Sequence, residues 1–368
     1  MAMHSTERIL LVAMELSNSK WRLLFSDGSK KSSRTIEARN LFAFNEALEK
    51  AKIKFKLDKD CRVVSGHEAG RDGFWIHRWL VTKGIDSRLM DPASIEVRRG
   101  KHKKTDRIDV EKLHDLLERK VVFGQERAFS EVAVPSEDAE AQMRICRERS
   151  TLVKERNRHT SRIKSLCVLH GITDKKVTIR PPSELRDWAD RPLAPELVKE
   201  LEHEQTRLKL VIGQIRDVEK IQRASVKKAE STAGEKAAHL MKLKSVGIQS
   251  AFLLSSEAFA WRKFKNRKKA GAFTGLTGTP YDSGDSVRDQ GISKTGSKRI
   301  RTCMIELSWL WLRWQPESAL TKWYFENYGP GSKRSRRKGI VALARKLFIA
   351  LWKYMEFGEV PDGAIIKA

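Results

Sequence analysis

Residues 9–26 read ILLVAMELSNSKWRLLFS, two runs of strand length, ILLVAMEL (9–16) and KWRLLFS (20–26), parted only by Ser17, Asn18 and Ser19. So short a polar gap joins neighbouring antiparallel strands. The turn signal SDGSKK (26–31) then leads into SRTIEA (33–38), so the chain opens as a three-stranded meander. Downstream, Leu41, Phe42, Phe44, Leu48, Ala51 and Ile53 recur at helical spacing over 41–54. CRVVSGHEA (61–69) reads as a buried strand, GFWIHRWLVTKG (73–84) as a helix and IDSRLM (85–90) as another strand. Asp106 to Lys120 reads as a helix with Ile108, Leu113, Leu116 and Leu117 on its apolar side. The order βββαβαβα predicts a mixed α/β sheet layered with helices.

Past residue 125 the pattern changes. AQMRICRERSTLVKERNRHTSRIKSL and APELVKELEHEQTRLKLVIGQIRDVEKIQ read as long charged helices separated by the Pro-containing break IRPPSELRDWADRPLAP. An antiparallel helical pair or coiled coil fits them, serving as a packed spacer or as a surface for dimer or tetramer formation. From 236 onward, LMKLKSVGIQSAFLLSSEAFA predicts two helices about the turn Val246–Gly247–Ile248, a helix-hairpin-helix-like element or a plain αα-hairpin. GLTGTPYDSGDSVRDQGISKTGS (275–297) reads as a loop, and KRIRTCMIELSWLWLRW and KGIVALARKLFIALWKYM as closing helices. Three domains follow: 1–125 mixed α/β, 126–235 a helical spacer, and 236–368 mainly helical.

Lys and Arg number 73 against 47 Asp and Glu, a net charge of +26. Self-repulsion of that size disfavours compaction, and a polyanionic partner is the usual reason to tolerate it. No apolar run is long enough to span a bilayer, and the N-terminus lacks a leader pattern, which predicts a cytoplasmic, nucleoid-associated protein with no membrane partner. The four cysteines are scattered without C-x-x-C spacing, so neither a disulfide framework nor a zinc site is expected. Any metal would be a hard cation on carboxylates.

Four acids are candidates for that role. Glu15 ends the first strand, Glu68 ends the fourth, and Asp106 and Asp109 lie three apart on one helix face in KTDRIDVEKL. If the first and fourth strands are neighbours, the glutamates meet at one sheet edge, and crowded carboxylates favour a bound Mg²⁺ or Mn²⁺. His67 alternates with Glu68 onto the opposite face, which suits a structural role. Basic runs adjoin the acids. RRGKHKKTDR (98–107) supplies Arg98, Arg99, Lys101, Lys103, Lys104 and Arg107 as phosphate contacts beside Asp106. RKFKNRKK (262–269) contributes Lys265 and Lys268; KRSRRK (333–338) is a third run, and Lys294, Arg299 and Arg301 flank GISKTG. Trp309, Trp311 and Trp314 form a stripe that either stacks bases or packs in the core.

VAMELS, HEAGRDGFWIHRWLVTKGID, DPASIEV and KTDRIDVEKL together resemble the RuvC-like DEDD domain of bacterial Piv/MooV-like insertion-sequence transposases, the bridge-RNA-guided recombinases. LKSVGIQSA, the F-x-G-L-T-G-x-P stretch at Phe273–Pro280, DSG, GISKTGSKRIRT and IVALARKLFIALW extend the resemblance through the C-terminal half in the same order. It implies an RNase-H-like fold with Glu15, Glu68, Asp106 and Asp109 as a Mg²⁺-binding tetrad. It also implies a serine that attacks double-stranded DNA and stays covalently attached until strand exchange, and a structured guide RNA as partner. The serine maps to Ser283 in DSG, with Ser286 and Ser293 as neighbouring alternatives. Gly284 would allow close backbone approach to DNA. Glu15 departs from the family's more usual Asp and carries its carboxylate one methylene further out. Two other readings compete: a RuvC-like nuclease that activates water instead of a serine, and a non-catalytic nucleic-acid-binding protein.

Overall fold

The run at 9–16 is the central strand of a five-stranded sheet. The computed structural model describes residues 8–95, 106–229, 231–283 and 286–367, with backbone alone for Asp106, 281–283 and 286–289. It divides into two units, Met1–Val134 and Pro135–Ala368. In the first, β1 (Ile9–Leu16), β2 (Lys20–Ser26) and β3 (Lys31–Glu37) form the antiparallel meander. After α1 (Leu41–Lys54), β4 (Arg62–Glu68) returns parallel to β1 on its free side; α2 (Gly73–Thr82) then leads to β5 (Asp86–Met90), parallel to β4. The strand order is β3-β2-β1-β4-β5.

Helices cover both faces, which is why β1 is apolar almost throughout rather than alternating. Leu10, Val12 and Met14 pack with Phe44 of α1 and Ile76 and Leu80 of α2. Leu11, Ala13, Leu24 and Val64 pack on the other face with Val110, Leu113 and Leu117 of α3 (Asp106–Val121). Full burial of each large side chain stabilises by about 1.5–3 kcal/mol. The inward stripes differ in detail from the sequence expectation. Val110 is buried while Ile108 is 39% exposed, and Phe42 and Ile53 of α1 face outward because Phe44, Ala47, Leu48 and Ala51 fill the contact arc. Asn40 starts α1 by accepting from the Ala43 N–H at 2.9 Å.

In the second unit α4 (Glu137–Leu169) and α5 (Pro195–Lys228) run antiparallel, the pairing expected from sequence. Their direction is fixed by Arg149–Glu219 and Arg162–Glu200, each at 2.7 Å, and by a seam of Leu152, Val211, Ile215 and Val218. Ser136 caps α4 by accepting from Ala139 N, and Glu137 and Asp138 complement the positive end of the helix. There follow α6 (Thr232–Met241), α7 (Ile248–Leu254) and α8 (Arg267–Phe273). The stretch 275–297, expected to be a loop, instead carries the hairpin β6 (Gly278–Ser283) and β7 (Ser286–Ile292), after which come α9 (Lys298–Trp314), α10 (Ala319–Tyr328) and α11 (Lys333–Phe357). Thr279, Tyr281 and Val287 supply strand propensity that the Gly and Ser content masks. Phe252, Met304, Leu307, Trp311, Leu347 and Phe348 form the core beneath it.

Gly66 sets how closely α3 approaches the sheet. A Cβ there would stand 2.6 Å from Met90 Cε and 3.0 Å from Leu117 Cδ1. Gly66→Val is expected to destabilise the chain by about 1–3 kcal/mol, read as a lowered denaturation midpoint with an unchanged slope.

Candidate active site

The parallel register pairs Leu11 with Val64, Ala13 with Gly66 and Met14 with His67. Glu15 and Glu68 each follow that last pair by one residue, near the ends of neighbouring strands. Both alternate with residues packed against α3, so both lie on the α3 face. Asp106 and Asp109 stand in the first turn of α3, four residues before Val110 and Leu113, respectively. Glu15 is half-buried and Glu68 exposed. Among the described residues, however, the His, Cys, Asp or Glu side chains whose ligand atoms lie within 4.8 Å of one another are His114, Asp115 and Glu118, not Glu15, Glu68 and Asp109. His114 is fully buried, neither ring nitrogen has a hydrogen-bond partner, and burial followed by the charge of Lys31 holds its pKa below the usual range. Lys31 Nζ already stands 3.3 Å from the Asp115 carboxylate.

The structure adds a residue that the sequence reading passed over. Arg22 pairs with Glu15 in the antiparallel register and has its Nε buried without a partner. Alternation within KWRLLFS was the available signal, since it sets Arg22 on the same face as buried Leu24. His67 lies on the opposite face, fully buried, and its Nε2 donates to the Gly73 carbonyl at 3.1 Å. Burial lowers its pKa to about 4, so the ring is neutral and structural.

Of the basic candidates, Arg98, Arg99, Lys101, Lys103 and Lys104 lie outside the described residues. Arg107 pairs with Glu111 at 3.0 Å, one turn along α3. Lys265, Lys268 and Lys294 are exposed. Arg299 reaches the buried Glu257 at 3.9 Å, whereas Arg301 tucks against Gly275 with its Nη1 buried. Ser283 ends β6 and pairs with Ser286, at the far end of the hairpin, while Ser293 sits at its base. That base is knitted by main-chain bonds from Ser293 N to Thr277 O (2.8 Å), Lys294 N to Gly275 O (3.1 Å) and Ser297 N to Phe273 O (3.2 Å). The two glycine-bearing motifs at 273–280 and 291–296 are therefore two sides of one crossing.

Residues 237–322, from α6 into α10, match the family profile described as Transposase IS116/IS110/IS902 family. A Sinorhizobium fredii protein carrying the transposase name y4rJ is 39% identical over 382 aligned residues, covering 97% of this chain and 94% of the relative. The chain belongs to the IS116/IS110/IS902 transposase family. A transposase for insertion sequence element IS1328 from Yersinia enterocolitica is 26% identical over 61% of this chain and 66% of its own length. A second Sinorhizobium fredii protein with a transposase name, y4qE, is 24% identical over 70% of this chain and 60% of its own. Membership makes the chain a DNA-cleaving and rejoining enzyme, and the profile match falls entirely within the second unit.

The tryptophans of this transposase divide between core and surface. Trp311 is fully buried and its Nε1 donates to Ser318 Oγ at 3.2 Å, while Trp309 and Trp314 are 49% and 43% exposed. Lys244 and Arg313 lie over the Trp314 ring at 5.9 and 5.1 Å. Among the described residues no helix is long and apolar enough to cross a membrane.

The crossing beneath the hairpin yields a direct test. A Cβ on Gly296 would lie 1.9 Å from the Phe273 carbonyl oxygen, a main-chain atom that cannot swing away. Gly296→Ala is expected to cost about 3 kcal/mol or more. Gly213→Ala, in α5 with nothing within 4 Å of its Cβ position, should be neutral or stabilising. Thermal unfolding of the two variants in parallel checks both.

Proposed function

We propose that this transposase cuts and rejoins double-stranded DNA through a covalent phosphoserine formed by Ser283, with Glu15, Glu68, Asp106 and Asp109 as the metal-binding half of the site. The observation that carries this reading is the β1–β4 pairing. Glu15 and Glu68 stand one step past its last registered pair, on the face covered by the helix that begins with Asp106. The topology β3-β2-β1-β4-β5, with one antiparallel meander and two parallel pairings, supports an RNase-H/RuvC-like domain over 1–125. Residues 126–235 then act as a spacer and self-association surface, and 236–368 as the domain carrying the serine. The surplus of 26 positive charges supports a polyanionic partner, and the family resemblance supports a structured guide RNA that selects the DNA sites.

The donor set suits a hard divalent cation, since it consists of carboxylates with His67 turned to the other face of the sheet. Mg²⁺ or Mn²⁺ bound there would supply electrophilic stabilisation of a phosphodiester. Arg22, opposite Glu15, offers a fixed positive charge beside the same acids. In the serine step the Ser283 Oγ–H proton is lost as Oγ bonds to phosphorus, and one P–O bond of the DNA strand breaks. The departing strand end takes up a proton as a free hydroxyl. Rejoining reverses the exchange: a strand hydroxyl attacks the phosphoserine, and Ser283 regains its proton. The number of phosphodiester bonds is conserved, so no external energy source is consumed.

Labelled DNA carrying element ends, incubated with the protein, its guide RNA and Mg²⁺, should give a protein–DNA adduct on a denaturing gel. Ser283→Ala should abolish the adduct, and Glu15→Ala or Asp106→Ala should lower its rate at least about a thousand-fold. Free nicked ends without an adduct would instead indicate attack by water and overturn the serine step.

A further inference from the structure

The second unit contains a cavity of about 460 Å³ between α4, α5, α7 and α9, remote in sequence from the acids and bounded on one side by the helix that follows the hairpin. We propose that it holds a single unstacked nucleotide of the bound nucleic acid. The size lies within the roughly 300–1,000 Å³ of clefts that enclose small ligands. Its walls carry Arg147, Arg149 and Lys154 from α4 and Lys298 and Arg299 from α9, which outnumber the carboxylate of Glu306, also on α9. Arg149 is committed to Glu219 at 2.7 Å, and Arg147 and Arg299 share the buried Glu257 at 3.3 and 3.9 Å. Lys154 and Lys298 pair with no carboxylate among the described residues and remain available to a phosphate. Lys298 and Arg299 open α9, so the positive end of a 17-residue helix borders the same space.

Charge alone would admit any anion, and Gln222 makes the site more selective. It lines the cavity, is only 1% exposed, and its Oε1 has no hydrogen-bond partner, while its Nε2 has only the weak acceptor Cys146 Sγ at 3.8 Å. A buried amide acceptor needs a donor. Inorganic phosphate at neutral pH is chiefly an acceptor, and an apolar ligand would leave the lysines unused. A nucleotide satisfies both, with an anionic phosphate for Lys298 and Lys154 and an amino or imino N–H on its base for Gln222. Ser250 and Thr302 add hydroxyls that can serve either part, and the arginine planes and Leu253 offer surfaces for the faces of the base. Enzymes that handle looped or opened nucleic acid commonly take single bases out of the stack in this way.

This inference rests on reading the chain as a nucleic-acid enzyme but not on the identity of its catalytic residues. Calorimetry on the full chain with ribonucleoside and deoxyribonucleoside 5′-monophosphates, ribose 5-phosphate and inorganic phosphate tests it. Nucleotides should bind at least roughly ten-fold more tightly than ribose 5-phosphate. Gln222→Leu should erase that preference, whereas Lys298→Ala should weaken nucleotide and sugar phosphate alike. A preference for ribonucleotides assigns the pocket to RNA, and a preference for deoxyribonucleotides or equal binding assigns it to DNA or to both. Nucleotides that bind no better than ribose 5-phosphate, or a Gln222→Leu variant that keeps the preference with an unchanged melting temperature, would overturn the proposal. Because the readout is binding, a chain that forms no DNA adduct still decides the question.

Discussion

The parallel pairing of β1 with β4 is the constraint from which the N-terminal unit follows. Antiparallel neighbours would carry their last residues to opposite ends of the sheet; parallel ones carry them to the same end. Here β1 is flanked by β2 on one side and β4 on the other, and both its faces are covered, so Leu10 to Met14 must be apolar. Acid is tolerated only where that enclosure stops, at Glu15 on β1 and Glu68 on β4. The carboxyl ends of parallel strands are also where open α/β sheets take their ligands. Gly66 extends the same logic: lacking a side chain, it lets α3 settle on the strand pair and fixes the depth of the helix that begins with Asp106.

In the second unit, tight backbone crossings and a buried acid perform the corresponding task. Gly275, at φ +65°, and Gly296 allow 273–277 and 293–297 to touch main chain to main chain, which anchors the hairpin bearing Ser283. Elsewhere Glu257, 6% exposed, receives Arg147 from α4 and Arg299 from α9, tying the long helical pair to the helix that follows the hairpin. Burying a carboxylate is costly unless it is paired, so two arginines from different elements make these helices interdependent.

Much of this was legible in the sequence wherever local pattern and tertiary role agree. The strand run at 9–16, the short gap before Lys20 and the buried-strand run at 61–69 fix the meander and the return strand, and the charged heptad-like stretches fix the helical pair. Reading failed where a residue's surroundings come from distant parts of the chain. Ile108 and Val110 are equally apolar, and only the sheet decides that Val110 turns inward. Alternation with Leu24 puts Arg22 on a covered face, but its place opposite Glu15 depends on the cross-strand register. The hairpin at 278–292 was hidden because its glycines and serines signal turns, whereas its pairing depends on the crossing at Gly275 and Gly296. The cavity was not readable at all, since Gln222, Cys146 and Lys298 meet only through the packing of separate helices.

Charge explains why the proposed acid site belongs on so basic a chain. The surplus of 26 positive charges attracts a polyanion over roughly a Debye length, about 8–10 Å at moderate ionic strength. At contact, carboxylates at the end of β1 and β4 would repel the same phosphate. On the proposed reading, four acids stand against the fixed charge of Arg22 on the neighbouring strand, and a diester needs a further cation there. A divalent ion removes the conflict because it turns the acids from repulsive groups into ligands. On the proposed reading, the basic surface sets how strongly nucleic acid is held and the acid cluster sets where a phosphate can react. Salt should then weaken the first function through counterion release, while metal removal stops the second and leaves the nucleic acid bound.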